Sequence, residues 1–167
     1  MGQVKRNASP RTKPGADPLA SAMSFSLDDH IPYLINRVAA IGVRSFSQEL
    51  ARANMTVPMW RVIAVLWSKG EQRQIDLAEL TAIEASTLSR LIGALCHEKL
   101  VLRERSKLST REVTISITDR GKALVEEYIP IAMELEQAEL QGLSEDQKRN
   151  LKEILNVMYN NISSSLS

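Results

Sequence analysis

A single cysteine, Cys96, leaves no partner for a disulfide within the chain, and an unpaired thiol fits a reducing, cytoplasmic compartment. Only two histidines, His30 and His97, join it as soft ligands, too few for a zinc site built by one chain. Seven glycines, six prolines and 4% aromatic residues in 167 positions are sparse for a sandwich or barrel, and point to a mostly helical protein. No apolar run approaches the roughly 20 residues that cross a bilayer, and the first residues lack the apolar stretch of a secretory signal. No glycine-rich phosphate loop, metal-ligand spacing or nucleophile–base pair stands out. The chain is therefore expected to be neither an enzyme nor a cofactor carrier, with no membrane partner.

Net charge is nearly absent too, at +1, but its distribution is uneven. Between Ser86 and Arg111 stand Arg90, Lys99, Arg103, Arg105, Lys107 and Arg111 against Glu98 and Glu104 only. From Thr118 onward five basic residues face nine acidic ones. A basic middle and an acidic end form an electrostatic footprint suited to phosphate.

Residues 1–25 hold Pro10, Pro14 and Pro18 without helical period, and read as a disordered basic tail. Residues 26–55 form a first helix whose apolar positions Ile31, Leu34, Ile35, Val38, Ile41, Phe46 and Leu50 keep the 3.6 period. Thr56 is placed to cap a second, nearly all-apolar and hence buried helix, which Gly70 ends. Two short helices follow, at about 74–81 and 84–99. Then the period changes to two in EVTISI (112–117), a half-buried strand whose partner is 101–105. Thr118 caps a long helix through about Leu140 that Pro130 is expected to kink, and Ser144 with Gln147 forms a capping box for the last helix. The expected fold is mainly α with a small β component. A helix-turn-helix lobe with a hairpin wing (56–118) is flanked by a first helix (26–55) and C-terminal helices (119–167) that dimerise.

The chemistry concentrates in QIDLAELTAIEASTLSRLIGAL (74–95). Two short helices joined by a tight turn, with Ala78 at the packing side, describe a helix-turn-helix. On the wheel of the second helix, Leu91, Ile92 and Leu95 lie within about 60° of Leu88 and make a core face. Ser86, Arg90, Gly93 and His97 lie opposite, flanked by Thr87 and Ser89. Hydroxyls can bond phosphates or base edges, Arg can bond guanine O6 and N7 together, and Gly93 permits close approach to a groove. The hairpin after it carries Arg103 and Arg105 on one strand face and Lys107 and Arg111 at its turn, as a DNA-contacting wing would.

These runs, LAELTAIEASTLSRLIGAL (77–95), LVLRER (100–105) and TREVTISITDRG (110–121), resemble the core of the MarR (multiple antibiotic resistance regulator) family. With its flanking helices the resemblance extends from about residue 27 to 165. It implies major-groove contacts by Ser86, Thr87, Ser89 and Arg90, a minor-groove contact by Arg111, and Arg103 at the base of the wing. It also implies a homodimer on a pseudo-palindromic double-stranded operator, with half-sites roughly 34–36 Å apart. Three positions depart from the family pattern. Ser109 replaces the aspartate that steadies the wing, Lys99 replaces a glycine, and Glu84 replaces a better helix cap.

Family members commonly bind small aromatic or phenolic effectors. Here His30, Tyr33 and Arg37 share one face of the first helix and could receive a phenol or carboxylate, while Met59, Trp60 and Trp67 could line an apolar wall. Cys96, beside the core side of its helix, reads as a small buried residue rather than an oxidant sensor. The expected function is a homodimeric repressor released by an aromatic effector. A helical scaffold for protein partners and a ligand-blind DNA-binding protein stay open as alternatives.

Overall fold

The computed structural model describes residues 25–105 and 112–166. Two compact units part inside the first long helix, after Ala39. In the N-terminal unit a 3-10 turn (Leu27–Asp29) precedes helix α1 (Ile31–Ala51), which has Pro32 in its first turn, where a missing N–H costs nothing. The Phe25 and His30 rings lie 5.2 Å apart, and the Arg37 guanidinium stands 5.6 Å from the Tyr33 ring and 3.7 Å from the Asp28 carboxylate.

The second unit continues with α2 (Val57–Lys69), β1 (Gln72–Arg73), α3 (Gln74–Thr81), α4 (Ala85–His97), β2 (Val101–Arg105), β3 (Val113–Ile117), α5 (Asp119–Glu139) and α6 (Glu145–Leu166). The three strands make one antiparallel sheet in the order β1-β3-β2. Thr56 caps α2, its hydroxyl accepting from the Met59 amide at 3.4 Å, and Gly70 ends it at φ 77°. Ser144 and Gln147 complete their reciprocal box at the head of α6, at 2.8 and 3.2 Å. Pro130 sits inside α5 without ending it.

The core explains the hydrophobic spacing. Val62, Ile63 and Leu66 of α2 meet Leu77 of α3, Leu88, Ile92 and Leu95 of α4, Val101 and Ile115 of the sheet, and Val125 of α5, all essentially without exposure. Burying one such side chain contributes about 1.5–3 kcal/mol, so this cluster fixes how the short helices stand against the sheet. In strand β3 Ile115 is buried and Val113 and Ile117 pack against the core, while Thr114 and Ser116 on the other face are half-buried rather than open to solvent.

One joint sets where the hairpin emerges. Lys99 adopts φ 58°, the left-handed conformation that favours glycine, directly before Leu100. The Thr118 hydroxyl donates to the Lys99 carbonyl at 2.8 Å and accepts from the Gly121 amide at 3.0 Å, while the Thr118 amide donates to the Leu100 carbonyl at 3.1 Å. A Cβ on Gly121 would stand 2.2 Å from that Leu100 oxygen, so only glycine lets α5 start this close to the hairpin root.

Sequence periodicity does not reveal β1. Two residues are too few to show alternation, and Gln72 and Arg73 become a strand only because Ile115 and Thr114 offer them a free edge.

Candidate nucleic-acid interface

Helices α3 and α4 are joined at Ala82, which is left-handed at φ 50° and donates to the Glu79 carbonyl at 3.1 Å. The Ile83 amide reaches back to Ala78 at 3.2 Å, and Ile83 packs on the core. This turn aims α4 with one side inward. Leu88, Ile92 and Leu95 are fully buried, whereas Ser86, Arg90, Gly93 and His97 are exposed and Thr87 and Ser89 are half-buried at the edges. A Cβ built on Gly93 meets nothing within 4 Å, so no neighbour in the chain requires glycine there.

The head of α4 is capped by Glu84. Its carboxylate accepts from the Thr87 amide at 3.0 Å and from the Ser86 hydroxyl, with the same oxygen. The Ser86 hydroxyl, followed by the Ser86 and Thr87 amides, pulls the Glu84 carboxyl down to about 2, so it is ionised at neutral pH. A negative charge there is also favoured by the positive end of the helix. The longer side chain therefore does cap this helix, contrary to the weak cap expected from its residue type. Farther along, Arg90 Nη2 donates to Thr87 Oγ1 at 3.3 Å, which steadies the guanidinium while leaving most of its donors outward.

The hairpin stands beside this face. Arg103 pairs with Ile115 and Arg105 with Val113, so both arginines project on the sheet side that also carries the core residues. Both are exposed. Arg103 lines a recess of about 550 Å³ with Arg73, Gln74, Ala85, Glu112 and Val113, which puts it beside the start of α4. Lys107 and Arg111, together with Ser109, lie outside the described residues.

A charge cluster at the turn end of the paired strands, where Val113 faces Arg105, has no counterpart in the sequence expectations. Arg73 grips the Asp76 carboxylate with two nitrogens at 2.6 and 2.7 Å and reaches Glu112 at 3.5 Å. The hydrogen bond and charge of Arg73 lower the Asp76 carboxyl below its ordinary range. The three-residue spacing of Arg73 and Asp76 is a usable sequence signal, whereas Glu112 joins only through the sheet. Gln74 Oε1, in the wall of the same recess, is buried without a hydrogen-bond partner.

The residues singled out for an effector fall into two sets. His30, Tyr33 and Arg37 are in the N-terminal unit, with Arg37 over Tyr33. In the second unit Met59 is a core residue, 9% exposed. Trp60 packs edge-on to Phe46 at 5.3 Å and tilted to Tyr128 at 6.3 Å. It also lines an apolar recess of about 430 Å³ with Phe46, Val57 and Val65, with Arg61 and Lys69 also on its wall. Trp67 lies apart, its indole donating to Glu126 at 3.4 Å, and Cys96 is half-buried against the core.

This geometry agrees with known proteins. Residues 44–128 match the family model described as transcriptional regulator SarA/Rot. The transcriptional repressor IacR of Pseudomonas putida is 25% identical over 155 residues, covering 93% of both chains. A MarR family regulator from Silicibacter pomeroyi superposes with a TM-score of 0.75 at 26% identity, over 82% of this chain and 92% of that one. The regulator BpsR of Bordetella bronchiseptica, whose DNA binding is regulated by 6-hydroxynicotinic acid, superposes with a TM-score of 0.70 at 26% identity, over 77% of this chain and 97% of that one. Its matched lobe, sheet and helices assign the chain to the SarA/Rot family of MarR-type transcriptional regulators, DNA-binding winged-helix proteins rather than enzymes.

Proposed function

We propose that the chain is a homodimeric repressor in which α4 reads the major groove of a pseudo-palindromic operator and the hairpin reaches the flanking minor groove. The observation that carries this reading is the division of α4. Its buried side is wholly apolar, while the exposed side is short, polar and nearly free of acid beyond its cap. Ser86, Thr87, Ser89 and Arg90 then contact base edges or phosphates, and Arg103, Arg105, Lys107 and Arg111 follow the backbone and minor groove.

Dimerisation is supported by large apolar side chains that stay exposed among the described residues of one chain. Val38 and Ile41 of α1 are 65% and 63% exposed, and Ile154 and Leu155 of α6 are 56% and 41% exposed. Pairing these helices across a two-fold axis removes that surface from water and sets two copies of α4 for two half-sites.

Release by a small aromatic effector is the finer part of the proposal. The regulation of BpsR by 6-hydroxynicotinic acid and the apolar recess beside Trp60 support it. Arg61 and Lys69 on the recess wall suit an acidic substituent on an aromatic ring. His30, Tyr33 and Arg37 are proposed as polar ligand contacts within their own unit.

The test is binding of the purified protein to its own upstream DNA at two salt concentrations, for the parent and Arg111→Ala. Selective binding that weakens with salt, and weakens again without Arg111, is expected. Absence of selective binding at low salt, with no effector added, would overturn the repressor reading and favour a protein-binding scaffold.

A further inference from the structure

The cap of α4 has a consequence for which bases the helix can accept. A serine hydroxyl owns one hydrogen and two lone pairs, and an ionised carboxylate can only accept. Glu84 takes the hydrogen of Ser86, and the same carboxylate oxygen accepts from the Thr87 amide at 3.0 Å. The Ser86 oxygen, exposed at the head of α4, therefore presents lone pairs outward and no donor.

We propose that Glu84 fixes Ser86 as a pure hydrogen-bond acceptor, so that this end of α4 selects a base carrying an exocyclic amine, adenine N6 or cytosine N4. The proposal rests on the reading of α4 as the helix in the major groove.

Chemistry at the position separates the candidate partners. Guanine offers O6 and N7 in the major groove and thymine offers O4, all acceptors that would face the lone pairs of Ser86. A phosphate would face those lone pairs and the charge of Glu84 as well. To donate to any of these, Ser86 must give up a charge-assisted bond, roughly twice as strong as a neutral one. Adenine and cytosine instead supply the missing donor. Arg90 has the opposite polarity, since a guanidinium has donors only and suits guanine. The exposed side of α4 thus begins with an acceptor and continues with a donor one helical turn later.

Selection of bound sequences from a random DNA pool gives the preferred operator. Competition binding against every single-base variant of one half-site then reads the preference. The parent protein is expected to favour adenine or cytosine at one position by about fivefold over guanine and thymine, the low end for a single wrong base contact. Ser86→Ala should flatten that position alone. Glu84→Ser keeps a capping hydroxyl on the helix and frees Ser86 to rotate, so guanine and thymine should become tolerated at the same position. Circular dichroism of each variant establishes that the lobe is folded.

A preference for guanine or thymine at the position that Ser86→Ala changes would overturn the proposal. So would unchanged profiles for both Ser86→Ala and Glu84→Ser while Arg90→Ala alters another position. If Arg90→Ala also leaves the profile untouched, the major-groove reading of α4 fails together with it.

Discussion

Helices α4 and α6 both carry an apolar stripe at helical spacing, yet the two stripes have opposite fates. Leu88, Ile92 and Leu95 of α4 have no exposure, whereas Leu151, Ile154, Leu155 and Ile162 of α6 are all exposed, and no residue of α6 whose side chain is described is buried. The α4 stripe meets α2 and the sheet inside the same chain. Among the described residues the α6 stripe meets no apolar face of comparable extent. An apolar period shows that a face must be covered, but which molecule supplies the cover depends on the neighbours the chain can bring. One stripe specifies the fold and the other, under the proposed function, specifies assembly.

Leu88→Ala should break the first of these most severely, costing about 2–5 kcal/mol of folding stability through lost burial and the cavity left behind. Urea unfolding followed by circular dichroism reads this, and a loss below about 1 kcal/mol would mean that the α4 stripe is less tightly packed than its burial indicates. Ile154→Ala should leave the lobe folded and weaken self-association by roughly 10- to 100-fold, since each protomer loses one apolar contact. Sedimentation equilibrium measures it, and an unchanged association constant would remove α6 from the interface.

Smaller effects sharpen the contrast on α4 itself. Gly93→Ala should stabilise the protein by about 0.5–1 kcal/mol, because alanine suits a helix interior better and nothing crowds the new methyl group. The same variant should bind operator DNA more weakly if the helix lies close in the groove. Thermal melts and DNA titration, run together, separate the two effects, and a gain in both would place Gly93 away from DNA.

The smallest effect concerns pH. The Glu84 carboxyl is held at about 2 in the folded protein against an ordinary 4.5, so its contribution to stability is fully present above 4.5 and is lost as pH falls toward 2. Glu84→Gln should abolish that part of the acid sensitivity. The Asp76 and Glu145 carboxyls are also lowered, by hydrogen bonds from Arg73 and Lys148, so the difference between parent and variant is the quantity to follow.

Much of this architecture is legible in the sequence because it is written in local terms. Strand β2 spans Val101–Arg105, as expected for the partner of the alternating segment 112–117, and the Thr56, Thr118 and Ser144 caps all make their hydrogen bonds. What escapes the sequence depends on geometry across the chain. The two-residue strand β1 exists only by pairing, and the link from Arg73 to Glu112 spans 39 positions. Glu84 escapes for another reason. Residue-type rules rank glutamate low as a cap, but a longer side chain that folds back can satisfy the same amide. For the candidate site, the faces of α4 can be read from the wheel, whereas the hydrogen-bond polarity of Ser86 emerges only once Glu84 is seen folded against it.

The clamp formed by Lys99, Leu100, Thr118 and Gly121 bears on how such a protein can change through descent. Both ends of the hairpin are tied at one point, through the Thr118 bonds to the Lys99 and Leu100 carbonyls. Lengthening a loop whose ends are already held costs little, about 0.6 kcal/mol for each doubling. A change in the length between β2 and β3 therefore leaves this joint intact, provided that Thr118 and Gly121 stay. A lineage retargeting its operator has a region in which insertions are tolerated, next to a joint in which almost none are.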